Sequence, residues 1–249
     1  MKSHVIFVDL HGVIVNSKLI FQKYRMLTIQ HLMDDFNLIE KKATERYDMA
    51  YSTWERKAYR FLKDNDMPKT GAKFLKFLDE TDEVFSSCLY SGLDTSECDE
   101  DVLRHRPFEY NVACKIEALY PEVRKALNSL ADEGYVLHVA SSNFSGHVKG
   151  ILRANMIEHL FDSVIGFDDV ASTKHTLEFY TRMLKQTGTS PKDAIMLGNS
   201  FHEILKPRKL GMKTVHVNRE RRVPRDVQKL ATLRIKNLRS LPVKLENLG

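Results

Sequence analysis

The chain has 249 residues, of which 43% are hydrophobic and 29% are charged. This length is sufficient for one sizeable core, or for a core with a smaller second lobe. No apolar run reaches the roughly 18 residues that a membrane-spanning helix requires, and the N-terminus lacks the features of a secretory leader. The three cysteines, Cys88, Cys98 and Cys114, form no CxxC pair, which favours reduced thiols. We therefore expect a soluble, cytoplasmic protein with no membrane partner.

The net charge of +5 is unevenly distributed along the chain. Residues 206–249 contain 13 Lys and Arg against 3 Asp and Glu, whereas residues 1–205 contain 25 against 30. A basic region of this kind could contact nucleic acid, but it contains no Phe, Tyr or Trp on which single-stranded bases could stack. We therefore interpret it as a solvated basic face and expect no nucleic-acid partner.

Five short apolar runs predict strands in the first and last parts of the chain. They are residues 4–9, 135–141, 163–169, 193–199 and 213–218. Most of them are continuously apolar, which is typical of strands buried on both faces of a parallel sheet. Helical spacing of apolar residues lies between them, as at Val123, Leu127 and Leu130. This alternation predicts an α/β fold with a doubly wound, mostly parallel sheet.

No strong strand pattern occurs between residues 16 and 115. Apolar residues recur there at helical spacing, and residues 44–62 form a long helix candidate rich in aromatic residues, which we interpret as packed core. We therefore divide the chain into an α/β core domain of residues 1–15 and 116–249 and an inserted all-helical domain of residues 16–115.

Polar residues follow the predicted strands where each strand ends. They are Asp9, Ser141, Ser142, Asp168, Asp169 and Asn199. Ligands of open α/β sheets bind beyond the carboxyl ends of the strands, so we expect these side chains to converge. Asp9 could serve there as a nucleophile, held ionised by Lys174, which is predicted to open the helix after the third strand. Asp9, Asn199 and Glu203 also offer oxygen ligands for a divalent cation.

Four segments in this order resemble the motifs of a known superfamily. Asp9-Leu-His-Gly-Val, Ser141, Lys174 and the segment LGNSFHE (197–203) are similar to the four motifs of the haloacid dehalogenase-like (HAD) hydrolases. The similarity covers about residues 1–15 and 115–245, and the helical insertion resembles the first class of cap domain in that superfamily. The resemblance implies a Rossmann-like core whose substrate is selected by the cap.

The resemblance also implies roles for individual residues. Asp9 matches the nucleophile that forms a covalent aspartyl intermediate, and Lys174 matches the lysine of the third motif. Ser141 matches the residue that binds the phosphoryl group of the substrate. A magnesium ion is expected as cofactor. The expected substrate-binding residues are Gly12, Ser141, Ser142 and Asn143, and the expected metal ligands are Asp9, His11, Asn199 and Glu203.

The sequence departs from the phosphatase pattern at three positions. His11 stands where phosphatases of the superfamily carry a second aspartate, the general acid and base. An imidazole with its ordinary pKa of about 6.5 could replace that aspartate near neutral pH. Asn199 stands where the fourth motif usually has aspartate, and His175 follows Lys174 where proline is common.

Three functions are compatible with these residues. The leading hypothesis is a magnesium-dependent phosphatase that acts on a small phosphorylated metabolite, as a monomer or homodimer. The second is a 2-haloacid dehalogenase, because that branch lacks the second aspartate, uses no metal and carries a tyrosine that Tyr180 matches. The third is a catalytically impaired HAD domain that is retained for binding, because two expected aspartates are missing.

Overall fold

The computed structural model describes residues 5–63, 69–219 and 229–246, without the side chain of Leu62. Residue 4 of the first predicted strand and part of the basic C-terminal region therefore lie outside the described residues. The same holds for residues 64–68 of the predicted helical domain. Within the described ranges, every helix is too short or too polar to cross a membrane.

Six parallel strands form one sheet. They are β1 (Val5–Val8), β2 (Val136–Ala140), β3 (Ser163–Ile165), β4 (Ala194–Gly198), β5 (Lys213–Val217) and β6 (Leu233–Ile235). Their order across the sheet is β3-β2-β1-β4-β5-β6, so the chain reverses its winding direction between β1 and β4. This confirms the predicted doubly wound α/β fold and places the expected ligand crevice beyond the carboxyl ends of β1 and β4.

Two details of the sheet differ from the sequence prediction. The third strand ends at Ile165, because Gly166 donates its backbone N–H to the Asp169 carboxylate at 2.8 Å and the chain turns. The short strand β6 was not predicted, since three residues with a central arginine form no apolar run.

Ten α-helices complete the described fold. They are α1 (Ser17–Phe36), α2 (Glu40–Lys63), α3 (Gly71–Tyr90), α4 (Glu100–Leu103), α5 (His105–Ala113), α6 (Val123–Asp132), α7 (Ser145–Ala154), α8 (Leu177–Gln186), α9 (Phe201–Lys209) and α10 (Leu241–Glu246). Helices α1 to α5 lie between β1 and β2 in the chain, where the helical insertion was expected. The division into domains at residues 16 and 115 remains a prediction.

Helix α8 begins later than the sequence pattern indicated. Thr176 is its N-cap and accepts a hydrogen bond from the backbone N–H of Phe179 at 3.3 Å. Lys174 therefore lies in the turn before the helix, and it does not open the helix as predicted.

Strand β1 is buried on both faces, which fixes the position of the residue that follows it. Ile6 and Val8 belong to the larger hydrophobic cluster, which includes residues of α1 and α5. Phe7 points to the opposite face and packs with residues of α8, among them Phe179 and Met183. Asp9 thus continues a strand that has almost no freedom to shift.

The side chain of Asn155 holds the segment through which the chain returns from the inserted helices. Its amide oxygen accepts the backbone N–H groups of Ala118 and Leu119 at 3.0 and 3.1 Å. Its amide nitrogen donates to the carbonyl oxygens of Ile116 and Ile151 at 3.0 and 2.7 Å. Because Asn155 is buried, water cannot easily replace these bonds when the side chain is removed.

We therefore expect Asn155→Ala to lower the free energy of unfolding by about 3 kcal/mol, since it leaves several buried backbone groups unsatisfied. Urea unfolding followed by circular dichroism measures this change. Asn128→Ala is the matched control, because Asn128 is exposed and makes one bond, to the Arg124 carbonyl at 2.9 Å. Equal losses in the two variants would contradict the role assigned to Asn155.

Candidate active site

Three buried charged side chains meet beyond the carboxyl ends of β1 and β4. The ammonium group of Lys174 donates to Asp9 Oδ1 and to Glu203 Oε1, both at 2.6 Å. Asp9 is 5%, Lys174 3% and Glu203 4% exposed. With both carboxylates ionised, this Asp9–Lys174–Glu203 cluster carries a net charge of −1 inside the protein.

The loop after β1 is shaped by a glycine. Asp9 donates its backbone N–H to the Leu197 carbonyl at 2.9 Å, which continues the pairing with β4. Gly12 then adopts a φ of +76°, and a Cβ atom there would lie 2.0 Å from the amide nitrogen of Asn199. Gly12 is therefore required both by its backbone conformation and by the close approach of the β4 loop.

Glu203 has a different position from the one expected of a metal ligand. One carboxylate oxygen binds Lys174, and the other accepts the backbone N–H groups of Asn199 and Ser200 at 2.9 and 3.0 Å. Both oxygens are thus engaged, and Glu203 anchors the lysine and the start of α9. Within residues 5–63, 69–219 and 229–246, no group of three or more His, Cys, Asp or Glu is arranged to hold a metal ion.

A smaller set of oxygen donors still fits magnesium. Asn199 donates its amide N–H to the His11 carbonyl at 3.0 Å, so these two groups are in contact, and His11 follows Asp9 by two residues in the same loop. The donors are the second carboxylate oxygen of Asp9, the His11 carbonyl and the Asn199 amide oxygen. Magnesium in enzymes is commonly bound by one or two carboxylates together with substrate phosphate and water. The chemistry of this donor set is therefore compatible with magnesium.

The acidity of Asp9 is strongly perturbed. Burial, reinforced by the negative charge of Glu203, raises its pKa from 3.8 to about 7, although Lys174 acts in the opposite direction. Burial alone would lower the pKa of Lys174, but its two carboxylate partners raise it, so the ammonium form is held. Near neutral pH, Asp9 is therefore partly protonated, and only its ionised form is available to react with a substrate.

The imidazole of His11 is neutral in this environment. Burial, the neighbouring His147 and the charge of Lys174 lower the pKa of His11 from 6.5 to about 3. The two imidazole rings stack with their centroids 5.7 Å apart, and His147 Nδ1 lies 3.0 Å from the carboxylate of Glu109. The ordinary pKa assumed from the sequence is therefore wrong for His11.

The three residues expected to bind the phosphoryl group after β2, Ser141, Ser142 and Asn143, differ in how exposed they are and in what they contact. Ser141 is buried, and its hydroxyl oxygen accepts the backbone N–H of Asn143 at 3.1 Å. Asn143 lines a cavity that His11 also lines, whereas Ser142 is exposed. Asp168 does not converge on the cluster as expected, because its carboxylate is bound by the backbone and hydroxyl of Ser145 at 2.8 and 2.7 Å.

Sequence reasoning missed two of the residues that surround His11. His147 lies on α7 and Glu109 on α5, and neither belongs to a motif or follows a predicted strand. Their approach depends on the packing of these two helices against each other. Tyr180, by contrast, lies in the core beneath the cluster, and its buried hydroxyl has no hydrogen-bond partner among the described residues.

Comparisons with known proteins agree with this fold. The family model described as "Haloacid dehalogenase-like hydrolase" matches residues 5–217. The pyrophosphatase PpaX of Bacillus velezensis is 29% identical over 128 residues, which are 51% of this chain and 59% of that relative. The chain thus spans less than two thirds of the length of this relative.

Two solved structures share the whole architecture. A HAD phosphatase from Thermococcus onnurineus superposes with a TM-score of 0.60 at 19% identity, covering 97% of each chain. The L-2-haloacid dehalogenase of Xanthobacter autotrophicus superposes with a TM-score of 0.61 at 12% identity, covering 99% of each chain. At these identities the similarity shows the fold alone, which a phosphatase and a dehalogenase have in common.

The cluster predicts how Asp9 titrates. We expect the Asp9 carboxyl to titrate near pH 7 in ¹³C NMR, and its midpoint to fall by at least about one unit in Glu203→Gln, which removes a like charge. Because this pKa lies above the unfolded value of 3.8, the contribution of Asp9 to stability is present below about pH 4. It is lost as the pH rises through 7.

The matched control is Glu178→Gln, which changes an exposed carboxylate paired with Arg182 on α8. It should leave the Asp9 midpoint unchanged. A wild-type midpoint near 4 would contradict the perturbed environment described for Asp9.

Proposed function

Because the chain belongs to the haloacid dehalogenase-like hydrolase family, we propose that it hydrolyses small phosphate monoesters through a covalent intermediate on Asp9. The observation that carries this proposal is the buried contact of Asp9 and Glu203 with one lysine at 2.6 Å. A carboxylate that is rigidly placed at a strand end and balanced by an ammonium group is suited to nucleophilic attack. Similarity to a pyrophosphatase also supports chemistry at phosphorus.

The reaction has two displacements at phosphorus. In the first, a carboxylate oxygen of Asp9 attacks the phosphorus, the bond to the ester oxygen breaks, and an acyl phosphate and an alkoxide form. In the second, water attacks the phosphorus, the bond to Asp9 breaks, and inorganic phosphate is released. Lys174 balances the charge of Asp9 and of the phosphoryl oxygens, and Glu203 holds Lys174 in place.

The phosphoryl group is oriented by the loop after β2. The hydroxyl of Ser141 and the backbone N–H of Ser142 are the donors for its oxygens, and the bond from the Asn143 N–H to the Ser141 hydroxyl oxygen fixes the loop. Gly12 allows the facing loop to approach closely without a side chain in the way.

His11 transfers the proton. The bound phosphoryl dianion adds negative charge beside the ring, which raises the pKa of His11 and lets it take up a proton. That proton passes to the departing alkoxide, and the attacking water returns one to the ring in the second step. The depressed pKa of about 3 in the free protein keeps His11 from adding positive charge before substrate is bound.

Magnesium is the proposed cofactor. Asp9, the His11 carbonyl and Asn199 would hold it, and when bound it supplies positive charge that offsets the phosphoryl dianion beside a net negative cluster. Because Asn199 provides an amide where a carboxylate is usual, the protein alone contributes one carboxylate, and binding depends on the substrate phosphate.

The dehalogenase alternative has a specific observation in its favour. His11 and Asn199 stand at two positions where carboxylates are expected, so the loops after β1 and β4 offer a cation fewer anionic ligands. In that reaction Asp9 would attack carbon and not phosphorus. The third possibility is a catalytically impaired domain that binds a ligand without turnover.

The proposed cellular setting follows from the cysteines. Cys88, Cys98 and Cys114 are all unpaired, which supports a reducing compartment. We therefore place the enzyme in the cytoplasm, as a monomer or homodimer, with a small phosphorylated molecule as its partner.

Asp9→Asn should reduce phosphate release from small phosphate monoesters by at least about 10³-fold, since the amide is a poor nucleophile. Release is measured for wild type and variant with magnesium and with EDTA, and circular dichroism checks that the variant folds. Retained activity in Asp9→Asn would refute the covalent scheme. Chloride release from 2-chloropropionate in EDTA, with no phosphate release, would instead establish the dehalogenase.

Asn199→Asp should lower the magnesium concentration for half-maximal activity by about tenfold, because it adds a carboxylate to the proposed metal donors. The measurement is a magnesium titration at saturating substrate. Asn128→Asp, at an exposed position on α6, is the matched control and should behave as wild type. Identical magnesium curves for all three proteins would refute the assignment of Asn199 as a ligand.

A further inference from the structure

A cavity of about 190 Å³ opens between the α/β core and the inserted helices, directly above the loop that carries His11. We call it the cap cavity. Its floor includes His11, Asn143 and His147. Its walls are aromatic, and the six aromatic side chains that line it are Phe21, Tyr24, Tyr47, Tyr51, Trp54 and Phe85. The cavity therefore continues the proposed phosphoryl site into the helical layer.

The volume of the cap cavity limits the size of its ligand. A cavity of about 150 Å³ is known to hold benzene, whereas pockets for drug-sized molecules begin at about 300 Å³. The cap cavity lies between these values, so it has room for one ring beyond the reacting group. The wall rings pack against one another with centroids 5.1 Å apart for Phe21 and Tyr51 and 5.8 Å for Tyr51 and Trp54. A ring of the ligand can make the same kind of aromatic contact with these wall residues.

The charges around the cap cavity select against a second anionic group. Among the residues that the structure describes, its lining contains no Lys or Arg. The two lining imidazoles other than His11 already face carboxylates, since His105 lies 3.1 Å from Asp82 and His147 lies 3.0 Å from Glu109. A carboxylate or second phosphate on the substrate would find no unpaired cation among these described lining residues and would approach Glu109.

Two buried hydroxyl groups line the same cavity. The hydroxyls of Tyr24 and Tyr47 have no hydrogen-bond partner among the described residues, and Tyr47 is 0% exposed. A buried polar group without a partner costs about 1–3 kcal/mol, so each hydroxyl requires a partner from outside the described residues, which a polar group of a ligand would supply. Burial raises the pKa of both phenols, which keeps them protonated as donors near neutral pH.

Resting on the proposed function, we propose that the substrate is a phosphate monoester whose alcohol is uncharged and carries a single aromatic ring with a hydrogen-bonding substituent. The ring lies among the aromatic walls of the cap cavity, and the substituent binds the hydroxyls of Tyr24 and Tyr47. This ligand class differs from pyrophosphate, which would bring a second anion into a cavity whose described lining residues include neither lysine nor arginine.

Binding of phosphonates tests this inference without turnover, because their C–P bond is not cleaved by ester hydrolysis. Trp54 is the single tryptophan of the chain, so its fluorescence reports occupancy of the cap cavity. The probes are benzylphosphonate, propylphosphonate and phosphonoacetate, titrated into wild-type protein with magnesium. We expect benzylphosphonate to bind at least tenfold more tightly than phosphonoacetate, with propylphosphonate between them. Equal or tighter binding of phosphonoacetate would overturn the inference.

Variants on one helix provide the matched comparison. Tyr51→Ala removes a wall ring and should weaken benzylphosphonate at least fivefold while leaving propylphosphonate within twofold. Tyr59→Ala, at an exposed position on the same helix that does not line the cavity, should change neither. Equal effects of Tyr51→Ala on both phosphonates would overturn the assignment of the aromatic walls.

Turnover separates this inference from the proposed function. Benzyl phosphate and propyl phosphate have similar leaving groups, so the ratio of their kcat/KM values reports the ring contribution. Turnover of both with a ratio near one would overturn the aromatic specificity and leave the phosphatase intact. Tight binding of benzyl alcohol and benzylphosphonate without hydrolysis of any ester would support the cavity assignment and refute the phosphatase.

Discussion

The site depends on one buried ammonium group. Lys174 contacts Asp9 and Glu203 at 2.6 Å each, and burying either carboxylate without this partner would be strongly unfavourable. The contact also connects three separate parts of the chain, because Asp9 follows β1, Lys174 lies in the turn before α8, and Glu203 lies in the first turn of α9. The position of the Asp9 carboxylate therefore depends on the complete fold. The fold must in turn place these three segments next to one another.

Much of the core could be predicted because its determinants are local. Strands buried on both faces appear as continuous apolar runs, so β1 and the residue after it were identified directly from the sequence. The convergence of Asp9 and Lys174 was predictable from the rule that parallel strands present their carboxyl ends at one edge. The start of α8 was not predicted correctly, because the N-cap bond of Thr176 decides it. The apolar spacing that begins at Leu177 indicates that a helix is present, but it does not locate the first residue of that helix.

The remainder depends on contacts between distant segments. Glu203 has the residue type and the place in the sequence expected of a metal ligand, but in the folded protein backbone N–H groups and Lys174 occupy its oxygens. The aromatic residues of α2 were interpreted as packed core, since helical spacing does not distinguish a ring that faces a cavity from one that faces another helix. The pKa of His11 is likewise lowered by burial and by His147, and both depend on how distant segments such as α7 pack around it.

The central claim is that Asp9 becomes covalently attached to the phosphoryl group during turnover. Acid quenching during turnover of a phosphate monoester, followed by borohydride, reduces an acyl phosphate to the corresponding alcohol, and peptide mass spectrometry then locates the change. The account predicts homoserine at position 9 in wild-type protein, dependent on substrate. An enzyme that releases phosphate while Asp9 stays unmodified under the same quench would contradict it.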